Sequence, residues 1–353
     1  MKICFLGPAD NYHIKKWCEY FASKGYEVDV ISFTDGQIEN VKVHYIDSGV
    51  KVTDSDIKKI KYLFKIKKIK KLIKEINPDI INAHYATSYG MVAARAKLNK
   101  YILSIWGSDV YSFPKKSFIH KLYFKYILKK APYIFSTSNA MKEEIKKYTN
   151  KEIFITYFGV KMDLFKPGKK TKTFTIGTVK TLDDKYGIKN IIKAIEIINK
   201  ERPNIIIKCR IAGKGKKELE YKNLAKEKNV DIEWLGFISQ EEAAKVWASM
   251  DVAVFPSDVL ESFGVSAVEA QACQTPVIIS NVNGLLESTS NNSRIVLENN
   301  NEKELANAII KLYEDKNLRE KMGKSGREYV ENRFEYNECF KKIEDLFIDI
   351  SKR

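Results

Sequence analysis

Apolar positions along this chain follow two rhythms that trade places. Short unbroken runs at Ile3–Leu6 and Val28–Phe33 flank Ile14–Lys24, where apolar residues recur at helical spacing and Gly25 closes the stretch. Buried strand, amphipathic helix, buried strand is a βαβ opening, and the pattern recurs. Ile80–Ala83, Tyr101–Ile105, Ile134–Ser136 and Ile153–Thr156 read as further strands, with a helix over Tyr89–Leu98. Strands separated by helices of this length predict a parallel, doubly wound sheet.

The alternation breaks at Asp163-Leu164-Phe165-Lys166-Pro167-Gly168-Lys169-Lys170, a charged stretch with Pro and Gly that reads as a linker. It then restarts. Thr173–Val179, Ile205–Ala212, Ile232–Leu235, Val252–Phe255 and Pro276–Ser280 read as strands; Gly187–Asn199, Lys216–Lys228, Glu241–Ser249 and Phe263–Ala272 read as helices. Leu318–Lys352 is helical with no strand signal. The expectation is an α/β protein of two Rossmann-like, doubly wound parallel-sheet domains facing a cleft. The first spans residues 1–163, the second 164–332, and a helix at about 333–353 packs back on the first. Open sheets of this kind bind ligands at the carboxyl ends of their strands.

Composition agrees with two domains. The chain has 353 residues, against roughly 150 per domain, and 44% hydrophobic content excludes disorder as a global description. No apolar run is long enough to span a bilayer, and the start, Met1-Lys2-Ile3-Cys4-Phe5, reads as a strand rather than a signal peptide. The five cysteines are scattered, with no Cys-x-x-Cys pair, which argues against a disulfide framework or zinc site. These features predict a cytoplasmic protein.

Charge adds a question. With 61 Lys+Arg against 45 Asp+Glu the net charge is +16, and Lys greatly outnumbers Arg. A Lys-biased genome gives such an excess without function, so clustering decides. Ile57–Lys74 carries apolar residues at helical spacing and no acid; Lys115–Lys130, with aromatics among its lysines, is also acid-free. Basic amphipathic helices with aromatics suit an anionic membrane surface, and the bland reading is a solvated face packed on a core. Asp54-Ser55-Asp56 reads as the N-terminal cap of the first basic helix rather than a metal motif.

The densest chemical signal runs from Ser257 to Ser280. A strand ends at Phe255-Pro256, a loop carries Glu261 towards a helix, and Phe263, Gly264 and Val265 lie at that helix start, where unpaired amides and the helix dipole favour a phosphate. Glu269 follows about two turns later on an otherwise apolar helix, where a carboxylate suits a ribose diol. Capping or solvated roles are the ordinary fate of a single Glu.

This stretch resembles the glutamate–seven–glutamate signature of retaining glycosyltransferases of the GT-B fold, specifically glycosyltransferase family 4. The common form reads Glu, Gly, Phe, Gly, then Glu, Ala, Met, Ala, Cys, Gly, Thr, Pro, Val; here Ser262, Gln271 and Gln274 replace the first Gly, the Met and the second Gly. The resemblance implies that Glu269 holds ribose hydroxyls and Glu261 sugar hydroxyls, with Phe263, Gly264 and Val265 near phosphate and sugar. Thr178–Gly187 resembles the segment whose Arg and Lys clamp the donor diphosphate; Lys180 stands for the Arg, a point charge in place of a bidentate fork, and Lys185 for the Lys. Ala212-Gly213-Lys214-Gly215 and Trp234–Ile238 resemble a Gly-rich turn and a base-binding loop, implicating Gly213 and Phe237, though Phe237 could equally be core. In the first domain, Asp79–Ala86 resembles a strand-end histidine motif that would aim His84 into the cleft at the donor sugar. Ile105–Val110 resembles a second such motif, with Asp109 either in the site or capping a turn. Gly7–Asn11 occupies a loop where relatives carry Gly-Gly, leaving Asn11 as an acceptor-side candidate, and Phe158 stands where relatives carry Asn.

The resemblance therefore implies a retaining transfer of sugar from a nucleotide-diphosphate sugar, such as a UDP- or GDP-sugar, to a hydroxyl of a glycan or lipid-linked acceptor in cell-surface polysaccharide assembly. Two lysines on the diphosphate make a metal unnecessary, so no cofactor is expected. Peripheral attachment to the inner face of an anionic membrane through Ile57–Lys74 is expected. A nucleotide-sugar epimerase or isomerase on the same fold is the alternative; a nucleic-acid-binding protein would leave the paired glutamates without a use.

Overall fold

The computed structural model describes residues 1–50, 54 and 56–353. The chain divides into two compact units, Met1–Phe158 with Glu338–Arg353, and Gly159–Asn337. The changeover lies at Phe158 and Asn337 rather than at 163 and 332. The reason is a local weld: Val160 N–H donates to Phe334 O at 2.7 Å and Tyr336 N–H to Val160 O at 3.0 Å, drawing the start of the charged stretch into the second unit.

The first unit holds a seven-stranded parallel sheet: β1 Lys2–Leu6, β2 Glu27–Ser32, β3 Lys42–Tyr45, β4 Ile80–His84, β5 Tyr101–Ile105, β6 Tyr133–Ser136 and β7 Ile153–Ile155. Its spatial order is β3-β2-β1-β4-β5-β6-β7. The chain winds outward from β1 to β3, then returns to the other side of β1 with β4. That reversal creates a crevice at the carboxyl ends of β1 and β4, where such sheets bind ligands. The final helix, Tyr336–Lys352, covers this sheet. Phe347 stacks on Phe21 at 5.0 Å, and Glu344 accepts from the Tyr20 and Tyr26 hydroxyls at 3.0 and 2.6 Å.

The second unit repeats the logic with six parallel strands: β8 Thr175–Val179, β9 Lys208–Ala212, β10 Ile232–Gly236, β11 Val252–Phe255, β12 Val277–Ser280 and β13 Arg294–Leu297, in the order β10-β9-β8-β11-β12-β13. Its switch point falls between β8 and β11. Central β11 and β12 are buried throughout, as their unbroken apolar runs require. The strands that the sequence pattern does not announce, β3 and β13, are edges. Lys42-Val43-His44-Tyr45 and Arg294-Ile295-Val296-Leu297 remain partly exposed, so neither shows a fully buried run.

The basic stretch resolves into a 3-10 turn, Ile60–Lys65, and a helix, Ile66–Ile76. The helix's apolar stripe is not a membrane face. Ile69 and Ile76 are buried, and Ile66, Leu72 and Ile73 pack against the same core. The lysines of this helix face solvent. The expected cap at Asp54-Ser55-Asp56 involves Ser55, which lies outside the described residues.

Candidate functional site

The switch point of the second sheet gathers charge. Lys180 is the first residue past β8, and its N–H donates to Ala212 O at 2.9 Å, continuing the ladder toward β9. Past β11, the loop returns Glu261 to the same place. Lys180 Nζ donates to Glu261 Oε1 at 2.8 Å, and Ser257 Oγ donates to the same oxygen at 2.9 Å. Both partners of the ion pair are nearly buried. Burial opposes the charge on Lys180, but Glu261 beside it, with Tyr186 and Glu269, outweighs burial and holds its pKa above the ordinary lysine value.

Lys185 joins this group through one ring. Its Nζ lies 4.9 Å from the centre of Tyr186, and the Lys180 Nζ lies 4.8 Å from the same centre. Both ammonium groups thus sit within cation–π range of a single aromatic. The lysine loop is fastened to the Glu261 loop by Asp258 N–H donating to Lys185 O at 2.9 Å. Gly187 makes that approach possible. Its φ is +66°, and a Cβ there would fall 1.8 Å from Pro256 O. Gly213 serves a similar end: its φ is +134°, a Cβ would fall 1.9 Å from Lys180 O, and its N–H donates to Gly236 O at 2.6 Å. What Gly213 supports directly is the backbone beneath Lys180.

The helix expected from Phe263 begins two residues later, at Val265, and runs to Ala272. Gly264 caps it with φ of +94°, because a side chain there would collide with Leu285 and Ser288. Ser266 Oγ donates to Val179 O at 3.1 Å and pins this helix start over the end of β8. Phe263 itself is buried with its ring edge-on to Phe334 at 5.0 Å, so its side chain belongs to packing. Glu269 is buried, as the apolar surroundings in sequence suggest, and accepts a long hydrogen bond from Trp247 Nε1 at 3.4 Å. Phe237, just past β10, is 78% exposed, which removes the core reading for it.

Sequence reasoning missed Ser257, Tyr186, Ser266 and Trp247. The first two were legible in principle: Ser257 is the second residue past a central strand, and Tyr186 stands between Lys185 and Gly187 in the same short motif.

The first unit presents its own cluster at the carboxyl ends of β1, β4 and β5. His84 ends β4, but its ring is fully buried rather than open to a cleft. It sits 4.6 Å from the Trp106 ring centre, 5.2 Å from Trp17 and 5.7 Å from Phe5. The physical reason is that helix Tyr12–Ser23 lays Trp17 across the strand end. Neither ring nitrogen of His84 has a hydrogen-bond partner among the described residues, nor do Trp17 Nε1 and Trp106 Nε1. His13 lies next door, stacked on Phe158 at 4.2 Å and edge-on to Trp106 at 5.7 Å. Burial, with a smaller contribution from neighbouring positive charge, pushes the pKa of each histidine down to about 3. Both are neutral at pH 7.

Asp109 and Asn11 act on the backbone. Asp109 is buried and accepts from Gly107, Ala86 and Trp106 N–H groups at 2.8, 3.0 and 3.3 Å, tying the turn after β5 to the turn after β4. Burial raises its pKa against those bonds. Asn11 caps helix Tyr12–Ser23, accepting from His13 and Ile14 N–H at 2.8 and 3.4 Å. Its Oδ1 is engaged in the cap.

Comparison with known proteins gives the family of the chain. Residues 2–138 match the family described as glycosyl transferase 4-like, and residues 161–329 match glycosyl transferases group 1. The chain belongs to the group 1 glycosyltransferases. An uncharacterised glycosyltransferase of Methanocaldococcus jannaschii is 28% identical over 328 residues, covering 91% of this chain and 88% of its own length. Among solved structures, a sucrose-phosphate synthase from Thermosynechococcus elongatus superposes with a TM-score of 0.85 at 19% identity, covering 99% of both chains. Anabaena HepE in complex with UDP-glucose superposes at 0.80 and 17% identity, covering 99% of this chain and 100% of its own. These likenesses establish the fold of this group 1 glycosyltransferase as GT-B.

Proposed function

We propose that this glycosyltransferase binds a nucleotide-diphosphate sugar in its second unit and transfers the sugar with retention of anomeric configuration. The observation that carries the reading is the buried Lys180–Glu261 pair at the β8/β11 switch point, the kind of position at which open parallel sheets commonly bind ligands. Lys180 and Lys185 would take the diphosphate, Glu261 the sugar hydroxyls, and Glu269 the ribose. The resemblance of the fold to HepE, solved with UDP-glucose, supports a UDP-sugar among the candidates.

The chemistry follows from where charge develops. The bond from the anomeric carbon to the diphosphate oxygen breaks with its electrons on the departing diphosphate. The acceptor hydroxyl oxygen bonds to the same face of that carbon, and its proton passes to the departing phosphate oxygen. Preorganised ammonium groups stabilise the developing negative charge most, because a buried site screens it least. Two lysines fulfil that role without a resident metal.

A glycan precursor on a lipid carrier is the acceptor class that this reading favours. The exposed lysine side of Ile66–Ile76 would bring the enzyme to an anionic inner membrane face by peripheral attachment; among the described residues no helix is long and apolar enough to cross a membrane.

Nuclear magnetic resonance on the enzyme with labelled nucleotide sugar alone tests the reaction class. The expected slow product is free sugar whose first-formed anomer matches the donor. An isomerised nucleotide sugar, with no sugar released, would identify an epimerase instead.

A further inference from the structure

The apolar stripe of helix Ile66–Ile76 is packed into the protein's own core, so it cannot enter a bilayer. Large apolar side chains are nevertheless exposed beside it. In the preceding 3-10 turn, Phe64 is 80% and Ile60 50% exposed; on helix Phe118–Lys130, Ile119 is 76%, Phe118 72% and Leu122 50% exposed. Scattered exposure of single apolar residues is ordinary, but five on adjoining segments mark an interaction site.

The two segments are continuous. Phe118, Leu122 and Tyr126 recur every fourth residue and so share one side of their helix, about 12 Å long at 1.5 Å per residue. Tyr126, at the end of that row, lines a groove of about 570 Å³ together with Ile60, Leu63, Phe64 and Ile66, and with Arg95 and Lys97. The apolar row on one helix therefore runs into the apolar turn on the other.

Charge selects the occupant. Lys61 in the turn, Lys67 and Lys68 just after it, Lys116 just before the helix, and Lys121 and Lys125 on it are exposed, and neither 57–74 nor 115–130 contains an acid. Two copies of such a face would repel one another. A bilayer with anionic headgroups matches both halves, with lysines at headgroup depth and the apolar tips below them.

We propose that Ile60, Phe64, Phe118, Ile119 and Leu122 form a bilayer-insertion face on the first unit. It rests on the membrane attachment argued above but moves the inserting residues away from the helix that carries the densest lysines. The lysines give salt-sensitive attraction, since such forces decay within about 8 Å at physiological ionic strength. The five apolar tips give the part that salt does not remove.

The test is co-sedimentation with phosphatidylglycerol-containing and with pure phosphatidylcholine vesicles, at low and high salt. The wild type is compared with Phe64→Ser/Ile119→Ser/Leu122→Ser and with Lys61→Ser/Lys67→Ser/Lys68→Ser. The wild type is expected to sediment with anionic vesicles and to retain part of that binding at high salt. The apolar triple variant should lose at least tenfold in binding at high salt while keeping low-salt binding, and the lysine variant should show the converse. An apolar variant that binds like wild type at high salt overturns the insertion face. So does light scattering that finds a wild-type dimer which the apolar variant dissolves into monomers. Unfolding temperature with and without nucleotide diphosphate, read on the same samples, separates this from the donor site. Intact nucleotide stabilisation with no vesicle binding defeats only the membrane proposal, and the reverse defeats only the donor reading.

Discussion

Lys180 Nζ and Glu261 Oε1 lie 2.8 Å apart at the carboxyl ends of two adjacent strands, although 81 residues separate them in the chain. Neither charge is affordable alone in so buried a place. Glu261 keeps Lys180 protonated without ligand, and a bound diphosphate would add a second anion to the same ammonium group.

That relationship predicts coupling. Lys180→Met and Glu261→Gln should each destabilise the protein by about 1–3 kcal/mol, since each strands the other polar group. The double variant should cost less than the sum, by at least about 1 kcal/mol in a denaturant double-mutant cycle. Strict additivity would show that the pair is not coupled in solution.

Glu269→Ala should weaken nucleotide binding by about 1–3 kcal/mol, the usual cost of removing a partner for buried hydroxyls. Calorimetry with the nucleoside diphosphate reads this directly, and unchanged affinity would assign Glu269 to packing with Trp247.

The histidine pair predicts an acid-side instability. His13 and His84 have folded pKa values of about 3 against 6.5 unfolded, so between those values the unfolded chain binds more protons than the folded one. Stability should therefore fall as pH drops from about 6.5 towards 3, and the two together contribute up to roughly 2.7 kcal/mol per pH unit. His84→Phe, which keeps an aromatic ring in the Trp17–Trp106 box, should reduce that slope by about one proton. A slope identical to wild type would mean that His84 titrates normally in the folded protein.

The same variant tests function. His84→Phe should lower sugar transfer on the order of 100-fold through misplacement of reacting groups, while nucleotide affinity stays as in wild type. Wild-type transfer would leave His84 as a packing residue.

Much of this was legible in the sequence, for a definite reason. Central strands of parallel sheets are buried on both faces, so runs such as Val252–Phe255 announce themselves, and the polar residues that follow them gather past their carboxyl ends. Lys180, Lys185 and Glu261 stand out in two separate stretches of sequence, and the structure brings those stretches together. What failed to show was anything set by which face of a residue the fold covers. His84 reads as a strand-end residue, but Trp106, Trp17 and Phe5 close around it and bury it. The stripe of Ile66–Ile76 reads equally as a membrane face or a core face, and packing decides for the core. Tyr186 is a single aromatic in sequence; that two ammonium groups lie within 5 Å of its ring centre depends on the fold of the loop up to Gly187.

The central claim is that Lys180, Lys185 and Glu269 form a nucleotide-diphosphate sugar site. Its most direct test is a thermal-shift panel of nucleoside mono- and diphosphates and nucleotide sugars on wild type and Lys185→Ala, because a ligand that binds only the folded state raises its unfolding temperature by mass action. At least one nucleotide family is expected to stabilise the wild type, diphosphate more than monophosphate, and Lys185→Ala is expected to remove the diphosphate advantage while leaving the monophosphate shift. A wild type that no nucleotide stabilises, or a variant that keeps the full diphosphate advantage, would contradict that claim.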